Sequence, residues 1–410
     1  MREMKNSGIE WIGDIPSDFE MIKIKYIINI EKGKLPQNTN TEGLGEIYVG
    51  ASEMNGKTPS LYTTDDLLKC KEDDILLLWD GANAGLIANG LCGVVSSTVA
   101  RCRVNSNRYH PQYIYYTLKN AERYYKDKVT GTTIPHMSSK YIDDTYILNL
   151  SFSEQKKIAD FLDEKCAEIN TVIEKTKATI EEYKKLKQSV ITQAVTKGIR
   201  PNRPMKDSGI EWIGEIPEDW KINTAFQIFT QVNNKNVGLV ETNLLSLSYG
   251  KIKRKSIDTI GGLLPESFDG YNIIEADDIV LRLTDLQNDH TSLRVGLSTE
   301  RGIVTSAYLT LRNRSKNLPM YLYYYLHSFD VAKGFYGMGA GVRQGLNWDG
   351  LKRLKIISPS FQEQQEIINY LDKKCSAIDE LIAKKTSLLS ELERYKKSLI
   401  YEYVTGKKEV

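Results

Sequence analysis

The sequence predicts an α+β protein made of two related halves, each with a mixed globular block followed by one long helix. Three observations predict this fold class. The phrase "KNSGIEWIGDIP" at 5–16 returns as "KDSGIEWIGEIP" at 206–217. A second phrase begins at Phe152 and returns at Phe361, and both copies run on for more than forty residues without Pro or Gly. The blocks between these phrases alternate short β-rich runs with turn residues and one Tyr-rich helical pattern.

The duplication extends over the whole chain. Its offset is 201 residues at Trp11 and Trp212 and 209 residues at Phe152 and Phe361, so the second block carries a net eight extra residues. We call the twelve-residue phrase at 5–16 and 206–217 the signature. We expect a pseudo-two-fold arrangement in which the parts that stayed alike meet like surroundings and the drifted blocks meet different ones.

Length and composition limit the class of protein. At 410 residues the chain is too long for one ordinary core. Its 41% hydrophobic and 26% charged content is typical of a soluble globular protein, and a net charge of +2 neither demands nor excludes nucleic acid. The start lacks the apolar core of a signal peptide, and no apolar run approaches the roughly 18–20 residues that span a bilayer. We expect a cytoplasmic protein without membrane contact.

The helical segments are predicted at 153–197 and 362–405, with Ser153 as a reasonable N-cap and Gly198 and Gly406 as the ends. Each would be about 65 Å long at 1.5 Å per residue. We expect the two helices to pack as an antiparallel coiled coil that holds the blocks apart, rather than each on its own block. The apolar stripes are Ile158, Leu162, Ile169, Ile173, Ile180, Val190 and Ala194, and Ile367, Leu371, Ile378, Ile382, Leu389, Leu392 and Leu399.

Each globular block is predicted to hold a strongly bent mixed sheet and one clear helix, at 111–126 and 319–333. The loops are rich in Lys, Arg, Asn, Gln and Gly. Basic side chains suit phosphates, amides and guanidinium groups suit base edges, and Gly lets a backbone approach a duplex closely. The alternative is that these residues are simply common in loops. The same chemistry at matching positions of two copies favours binding.

The motifs of nucleic-acid enzymes are missing from the sequence. It has no Asp/Asn-Pro-Pro-Tyr/Phe motif and no Walker lysine motif. The glycine run at 337–341 follows a helix rather than a strand, which does not suit a phosphate loop. The acidic pairs Asp73–Asp74 and Asp277–Asp278 are interpreted as turns before strands. We expect no catalytic and no metal-binding residue in this chain.

The five cysteines are scattered, with no Cys-x-x-Cys pair and no histidine at metal-ligand spacing. We expect reduced thiols that serve as small buried hydrophobic residues. They are Cys70, Cys92, Cys102, Cys166 and Cys375.

The order of signature, block and "FSEQKKIADFLDEK" helix, then all three again, resembles the specificity (S) subunit of type I restriction–modification systems. The resemblance covers essentially the whole chain. It implies target-recognition domains at 1–151 and 201–360, and conserved helical regions at 152–200 and 361–410. In that family each domain recognises one half of a bipartite DNA site. The helices fix the length of the spacer between the half-sites, whose sequence is not recognised, and they bind the modification subunits. The two halves should recognise different bases, because "TGTTIPHMSS" in the first block lacks the "GVRQGLN" chemistry of the second.

The resemblance also implies partners and cofactors. The partners are double-stranded DNA, two modification (methyltransferase) subunits and two restriction (translocase and endonuclease) subunits. This chain would bind no cofactor, whereas its partner subunits would use S-adenosylmethionine, ATP and Mg²⁺.

Two sets of candidate site residues follow from the loops and from the repeated phrases. The candidate DNA contacts are Lys34, Gln37, Asn38, Asn55, Lys57, Trp79, Asn83, Thr132, Thr133, His136, Ser138 and Lys140 in the first block, and Asn233, Asn234, Lys235, Tyr249, Lys251, Lys253, Arg254, Arg282, Gln287, Asn288, His290, Arg343, Gln344 and Asn347 in the second. The candidate partner contacts are Trp11, Ile12, Trp212, Ile213, Glu154, Gln155, Glu363 and Gln364.

Two alternatives stay open at the level of sequence. The helices alone would permit a coiled-coil scaffold that binds proteins without recognising DNA sequence. An inhibitor or an orphan half-system without its nuclease would have the same sequence features.

Overall fold

A computed structural model describes residues 3–129, 135–256, 267–289, 291–338 and 345–410. No helix within these ranges combines the length and the apolar composition needed to cross a membrane.

By compactness the chain divides into two units. Unit 1 comprises Met1–Lys177 with Ser387–Val410, and unit 2 comprises Ala178–Thr386. Each unit therefore contains one signature, one globular block and segments of both long helices.

Unit 1 is an α+β unit of short strands. The strands are β1 (Met4–Asn6), β2 (Asp14–Pro16), β3 (Met21–Lys23), β4 (Ile28–Lys32), β5 (Glu46–Val49), β6 (Tyr62–Thr63), β7 (Lys69–Cys70), β8 (Ile75–Leu78), β9 (Ile87–Ala88), β10 (Gly93–Val95), β11 (Val99–Val104) and β12 (Tyr146–Leu148). The helices are α1 (Ala51–Met54), α2 (Pro111–Asn120), α3 (Glu122–Lys128), α4 (Ser139–Asp143) and the long α5 (Phe152–Lys197).

Two four-stranded sheets form the block of unit 1, in the orders β4-β11-β8-β9 and β6-β5-β10-β7. The central strand β8 explains how they pack. All four of its residues are buried, because alternate side chains enter two different cores. Ile75 and Leu77 face the core shared with the helices, whereas Leu76 and Leu78 face the small core of the second sheet.

Unit 2 repeats this plan with changes. Its strands are β13 (Met205–Asp207), β14 (Glu215–Pro217), β15 (Lys221–Thr224), β16 (Phe229–Gln231), β17 (Leu245–Ser248), β18 (Lys251–Arg254), β19 (Asn272–Ile274), β20 (Ile279–Leu281), β21 (Val295–Leu297), β22 (Gly302–Val304), β23 (Leu309–Asn313) and β24 (Lys355–Ser358). Its helices are α6 (Ala225–Ile228), α7 (Pro319–Val331), α8 (Trp348–Leu351) and the long α9 (Phe361–Val404).

The two blocks share one sheet and differ in the other. The order β16-β23-β20-β21 matches β4-β11-β8-β9, and β20 again sends alternate side chains into two cores. The second sheet of unit 1 is replaced in unit 2 by the antiparallel pairs β17-β18 and β19-β22. The predicted helix 319–333 is confirmed as α7, whereas 111–126 is divided into α2 and α3 at Ala121.

Both long helices are confirmed, but the predicted N-cap of α5 is wrong. Ser151, not Ser153, caps the helix: its hydroxyl accepts the Glu154 N–H at 3.3 Å, and the Glu154 carboxylate accepts the Ser151 N–H at 2.9 Å. This reciprocal pair is a capping box, which satisfies backbone donors that the first helical turn leaves free.

The two long helices pair antiparallel within each unit, as the sequence predicts. In unit 1 the Phe161 and Tyr403 rings lie 4.5 Å apart, and the Lys396 ammonium donates to the Asn170 amide at 2.7 Å. In unit 2 the Lys187 ammonium lies 2.6 Å from the Asp379 carboxylate. Arg200, which follows α5, binds Glu366 on α9 at 2.6 Å in unit 2. In each unit, residue numbers therefore rise along α5 as they fall along α9, which is the antiparallel direction.

The acidic pairs before the central strands are turns, as predicted. Asp74 accepts the backbone N–H of Lys71 at 2.9 Å and binds the Arg103 guanidinium through both of its oxygens. Asp278 makes the equivalent bonds to the N–H of Glu275 and to Arg312. These carboxylates stabilise the turn and a neighbouring strand, so they have a structural role.

The cysteines carry free thiols, and four of the five are buried. Burial raises the pKa of Cys70 to about 11 and that of Cys102 to about 12, which makes both thiols unreactive. The prediction of buried cysteines is wrong for Cys92, which lies exposed in the turn between β9 and β10.

The carboxyl near the end of α7 has surroundings different from those of its counterpart in unit 1. Asp330 is 2% exposed; one oxygen accepts the Arg294 N–H at 2.6 Å, and the other has no hydrogen-bond partner among the described residues. Burial raises the pKa of Asp330 to about 6. Its counterpart Glu122 is different, because Lys119 and Lys126 both bind its carboxylate at 2.6 Å. Although burial acts to raise it, these lysines hold the pKa of Glu122 below its usual value.

The variant D330N is expected to raise the free energy of unfolding of unit 2 by about 1–2 kcal/mol at pH 8. A carboxyl whose pKa is raised in the folded state makes the protein less stable as the pH rises from the pKa of the unfolded state toward about 6. An amide does not ionise, so the variant avoids this loss. The gain should therefore vanish below about pH 4. Urea unfolding of both proteins between pH 4 and pH 8 measures this gain in stability. A gain that does not depend on pH would contradict the explanation that ionisation of the buried Asp330 carboxyl destabilises the unit.

Candidate functional site

The candidate DNA contacts of unit 1 that the structure describes lie on loops that follow strands, beside the short helix α1, and at the start of α4. Lys34, Gln37, Asn38, Asn55, Lys57, Asn83, His136, Ser138 and Lys140 are exposed, and Trp79 is half-buried. A side chain holds the first of these loops in place: the Asp65 carboxylate accepts the backbone N–H groups of Gln37 at 2.5 Å and of Asn38 at 3.3 Å. The polar side chains are thus presented from a fixed backbone.

Hydrogen bonds bring three of these loops together. The Tyr48 hydroxyl donates to the Lys34 carbonyl at 3.4 Å and accepts the Ser97 N–H at 3.0 Å. The Trp79 N–H then donates to the Thr98 carbonyl at 2.7 Å, and the Trp79 carbonyl accepts the Met137 N–H at 2.8 Å. Loops that are distant in sequence therefore form one surface.

A charged cluster that sequence reasoning missed lies on this surface. The Asp80 carboxylate binds the Lys32 ammonium at 2.6 Å through one oxygen and His136 Nδ1 at 2.6 Å through the other. Although partial burial acts to raise it, the bonds from Lys32 and His136 hold the pKa of Asp80 below its usual value. No local sequence signal links these residues, because they lie on β4 and on two loops far apart in the chain.

Unit 2 presents a comparable set. Asn233, Asn234, Lys235, Tyr249, Lys251, Lys253, Arg254, Gln287, Asn288 and Asn347 are exposed, and Arg282 is half-buried. Some of these side chains already have partners within the unit. Lys235 donates to the Gly270 carbonyl at 3.0 Å, Asn347 caps α8, and Arg254 binds Glu300 at 2.8 Å. The candidates Thr132, Thr133, His290, Arg343 and Gln344 lie outside the described residues.

The β17-β18 hairpin and the loop 282–294 are neighbours in unit 2. The hairpin turns at Tyr249 and Gly250, and a Cβ at Gly250 would lie 3.1 Å from the Leu293 side chain. The Leu346 N–H donates to the Leu283 carbonyl at 2.9 Å, which joins residues 345–347 to the same loop. Three candidate segments of unit 2 therefore meet.

The repeated glutamine of the helix start is buried and joins two elements of its own unit. The Gln155 side-chain oxygen accepts the His110 N–H at 2.8 Å, and its amide donates to the Leu150 carbonyl at 2.9 Å. Gln364 makes the equivalent bonds to the Leu318 N–H at 2.7 Å and to the Pro359 carbonyl at 3.0 Å. These two side chains attach the start of a long helix to α2 or α7, so they offer no surface to a partner.

Glu363 is likewise internal, at 1% exposure, and binds Arg203 and the Trp220 indole N–H. Its counterpart Glu154 is exposed and belongs to the capping box. A direct contact with a partner is possible for the exposed Glu154 but not for the buried Glu363 carboxylate.

The signature packs against the end of a long helix in each unit. Ile12 and Ile213 are buried, and Trp11 and Trp212 are half-buried. The Tyr401 hydroxyl on α9 donates to the Ile12 carbonyl at 2.8 Å. In unit 2 the Lys197 ammonium on α5 donates to the Ile213 carbonyl at 3.0 Å. In each unit, much of the surroundings of the signature is therefore the end of a long helix of the same unit.

Comparison with known proteins shows which proteins this chain is similar to. Residues 16–182 match the family model described as "Type I restriction modification DNA specificity domain". The MjaVIII specificity subunit of Methanocaldococcus jannaschii is 29% identical over 66% of this chain and 64% of its own length, and the putative MjaX specificity subunit of the same organism is 23% identical over 90% and 89%. Residues 16–182 thus match the DNA specificity domain of type I systems, and over most of its length the chain is similar to type I restriction–modification specificity subunits.

Two other matches are also to proteins of type I restriction–modification systems. The EcoBI specificity subunit of Escherichia coli is 21% identical over 93% of this chain and 84% of its own length. A solved structure described as "Structural basis underlying complex assembly and conformational transition of the type I R-M system" has a TM-score of 0.67 at 13% identity and covers 96% of this chain and 99% of that chain. At that identity the likeness shows the fold alone. The match to the MjaVIII subunit spans less than two thirds of its length.

Proposed function

We propose that this chain is the DNA-reading subunit of a type I restriction–modification complex, and that each unit recognises one half of a bipartite, asymmetric site. The observation that carries this proposal is a shared frame with different polar loops in the two units. Both units contain the same sheet, β4-β11-β8-β9 in one and β16-β23-β20-β21 in the other. Both also attach their long helix through an equivalent buried glutamine, Gln155 or Gln364. The loops after β8 and β20 differ in length and chemistry. Two unlike loop sets on one frame suit two unlike half-sites.

The loop chemistry supports DNA as the ligand. Exposed Lys34, Lys57 and Lys140 can bind phosphates, which supply affinity without sequence preference. Exposed Asn83, Gln287 and Asn288 carry amides that can bind base edges in the major groove, where each base pair presents a distinct pattern.

The long helices would fix the spacing between the half-sites. We propose functional regions at 1–151, 152–200, 201–360 and 361–410, with the helical regions setting the number of unread base pairs. Half-sites on one face of DNA lie at separations set by a repeat of about 10.5 bp. Two modest sites on one frame also gain affinity through effective concentration.

The chain is proposed to be non-catalytic by itself. Two modification subunits would transfer a methyl group from S-adenosylmethionine to adenine N6, and two restriction subunits would use ATP and Mg²⁺ for translocation and cleavage. The exposed faces of the helical regions, including Glu154, are candidates for docking the modification subunits.

Exchange of one block tests the proposal. The full chain is reconstituted with its modification subunits, and methylated adenines are mapped on plasmid DNA by single-molecule sequencing. Replacing residues 17–150 by the block of another specificity subunit should change the bases of one half-site and leave the other unchanged. A change in both half-sites would contradict independent recognition. Binding without any dependence on base sequence would favour a scaffold instead, and methyl transfer by the chain alone would refute the non-catalytic assignment.

A further inference from the structure

Arg294 is a fully buried arginine in unit 2, with 0% of its surface exposed. Nη1 donates to the carbonyls of Arg282 at 3.0 Å and Thr284 at 2.9 Å. Nη2 donates to the carbonyl of Asp285 at 3.3 Å and to that of Asp289. Nε donates to the Tyr336 hydroxyl at 3.2 Å. A guanidinium has five N–H donors, and these contacts use all of them.

The four carbonyl acceptors belong to one irregular segment, residues 282–289, which follows β20 directly. A segment without a helix or a strand leaves carbonyls that need donors once they are buried. Arg294 supplies these donors to four carbonyls at once. Asp285 in the same segment has φ of 55°, a left-handed conformation that a non-glycine residue keeps only where its surroundings fix it. The shape of this loop therefore depends on Arg294.

Unit 1 builds the corresponding loop without an arginine. Leu86 precedes β9 as Arg294 precedes β21, and the strand pairs that these two strands make are equivalent. The loop 79–86 is shorter and closes through backbone bonds, with the Gly85 N–H donating to the Leu78 carbonyl at 2.8 Å. Gly85 has φ of 91°, and a Cβ there would lie 3.1 Å from a backbone nitrogen of α3. The buried arginine thus accompanies the longer loop of unit 2.

The outer side of the loop carries the candidate contacts. Gln287 and Asn288 are exposed, and the Asn288 amide donates to the Asp285 carboxylate at 2.8 Å. Tyr336, which accepts from Arg294, also donates to the Asp289 carbonyl at 3.0 Å. The bonds of Arg294 thus fix from within the backbone that presents two amide side chains outward.

We propose that Arg294 is the positioning residue of the second recognition loop: by binding the carbonyls of 282–289 from inside, it holds Gln287 and Asn288 where their amides can recognise an adenine edge in the major groove. Amides of Asn and Gln pair with adenine N6 and N7 through two hydrogen bonds. Such pairing needs a fixed backbone, because a small displacement breaks one of the two bonds. This inference rests on the proposed function and assigns an A·T pair to the half-site of unit 2.

The variant R294K tests the positioning role, because lysine keeps the charge but has three donors instead of five. The full chain with its modification subunits is measured on DNA libraries randomised in one half-site at a time. We expect preference for the correct base to fall at least tenfold at one or two positions of the unit 2 half-site, with the unit 1 half-site unchanged. Y336F, which removes one acceptor, should produce a smaller change at the same positions if R294K does not fold.

The matched control is R312K, the same substitution in the same unit on the Asp278 ion pair of the sheet. It should leave base preference unchanged. Equal loss of affinity for all sequences in R294K or Y336F, a shift in both half-sites, or the same shift in R312K would overturn the positioning role. If the unsubstituted protein shows no base preference, the proposed function itself fails; if it does and R294K and Y336F keep it, only the role of Arg294 fails.

Discussion

Replacing Glu363 by alanine is expected to lower the free energy of unfolding of unit 2 by about 3–5 kcal/mol, the usual cost of removing one partner of a buried ion pair. Glu363 is 1% exposed, and its carboxylate binds the Arg203 guanidinium and accepts the Trp220 indole N–H at 3.0 Å. The variant would leave the fully buried indole N–H without its acceptor, and the largely buried Arg203 guanidinium would keep only the exposed Asp219 carboxylate, at 2.5 Å, as its partner. A buried donor without its acceptor is costly because neither water nor protein satisfies it.

The variant E366A is the matched control for this experiment. Glu366 lies one turn further along α9 and also binds an arginine, Arg200, at 2.6 Å, but both side chains of that pair are solvent-exposed. Exposed pairs contribute little, because water screens them and their side chains are costly to order. Urea unfolding of both variants should show a large loss for E363A and almost none for E366A. Equal losses would mean that Glu363 does not act through burial.

The expected effect of E363A changes how the repeated helix start is interpreted. The sequence alone suggested that repeated residues dock a repeated partner. The structure places Gln155, Gln364 and Glu363 inside the units, where they bind their own chain. Gln155 and Gln364 meet like surroundings, as expected, but these surroundings are their own unit, and the repeated pair Glu154 and Glu363 meets unlike ones. A sequence cannot show whether a repeated side chain contacts a partner or its own unit, because both roles preserve the same side chain.

The features that could be predicted from the sequence are those set by local or periodic patterns. The long helices follow from apolar residues at helical spacing, and the absence of Pro and Gly gives their extent. The acidic turns at Asp74 and Asp278 were also predictable, because each immediately precedes an apolar strand. The N-cap of α5 was missed by two residues, since Ser151 and Ser153 offer the same side chain and only the backbone geometry decides between them.

The features that could not be predicted depend on contacts between distant residues. Lys32, Asp80 and His136 meet because β4, β8 and a loop converge, and no motif marks that meeting. The role of Arg294 was hidden for a related reason. In sequence it is one arginine after a polar loop, and its importance comes from complete burial beneath that loop.

Replacing Tyr249 by asparagine is expected to stabilise unit 2 while weakening its binding of DNA about tenfold. Tyr249 and Gly250 form the turn of the β17-β18 hairpin with φ of 48° and 74°. Asn-Gly is the preferred sequence for a turn with two such residues, whereas a tyrosine is strained there. The ring is 80% exposed, so burial does not compensate for the strain. We expect a gain of about 0.5–1 kcal/mol in the free energy of unfolding from relief of this strain.

The expected loss of binding follows from what surrounds the ring. Exposed Lys251 and Lys253 lie on the adjoining strand, and the Tyr323 hydroxyl donates to the Gly250 carbonyl at 3.4 Å, which fixes the turn. An exposed aromatic ring beside basic side chains can stack on a base, and such stacking contributes about 1–3 kcal/mol per base. Y249F keeps both ring and strain, so it should retain affinity and stability. Thermal unfolding and DNA titration of the complex with its modification subunits measure both quantities. Because Y249N is expected to fold better than the natural sequence, weaker binding by this variant could not be attributed to unfolding, and unchanged binding would exclude Tyr249 from the DNA interface.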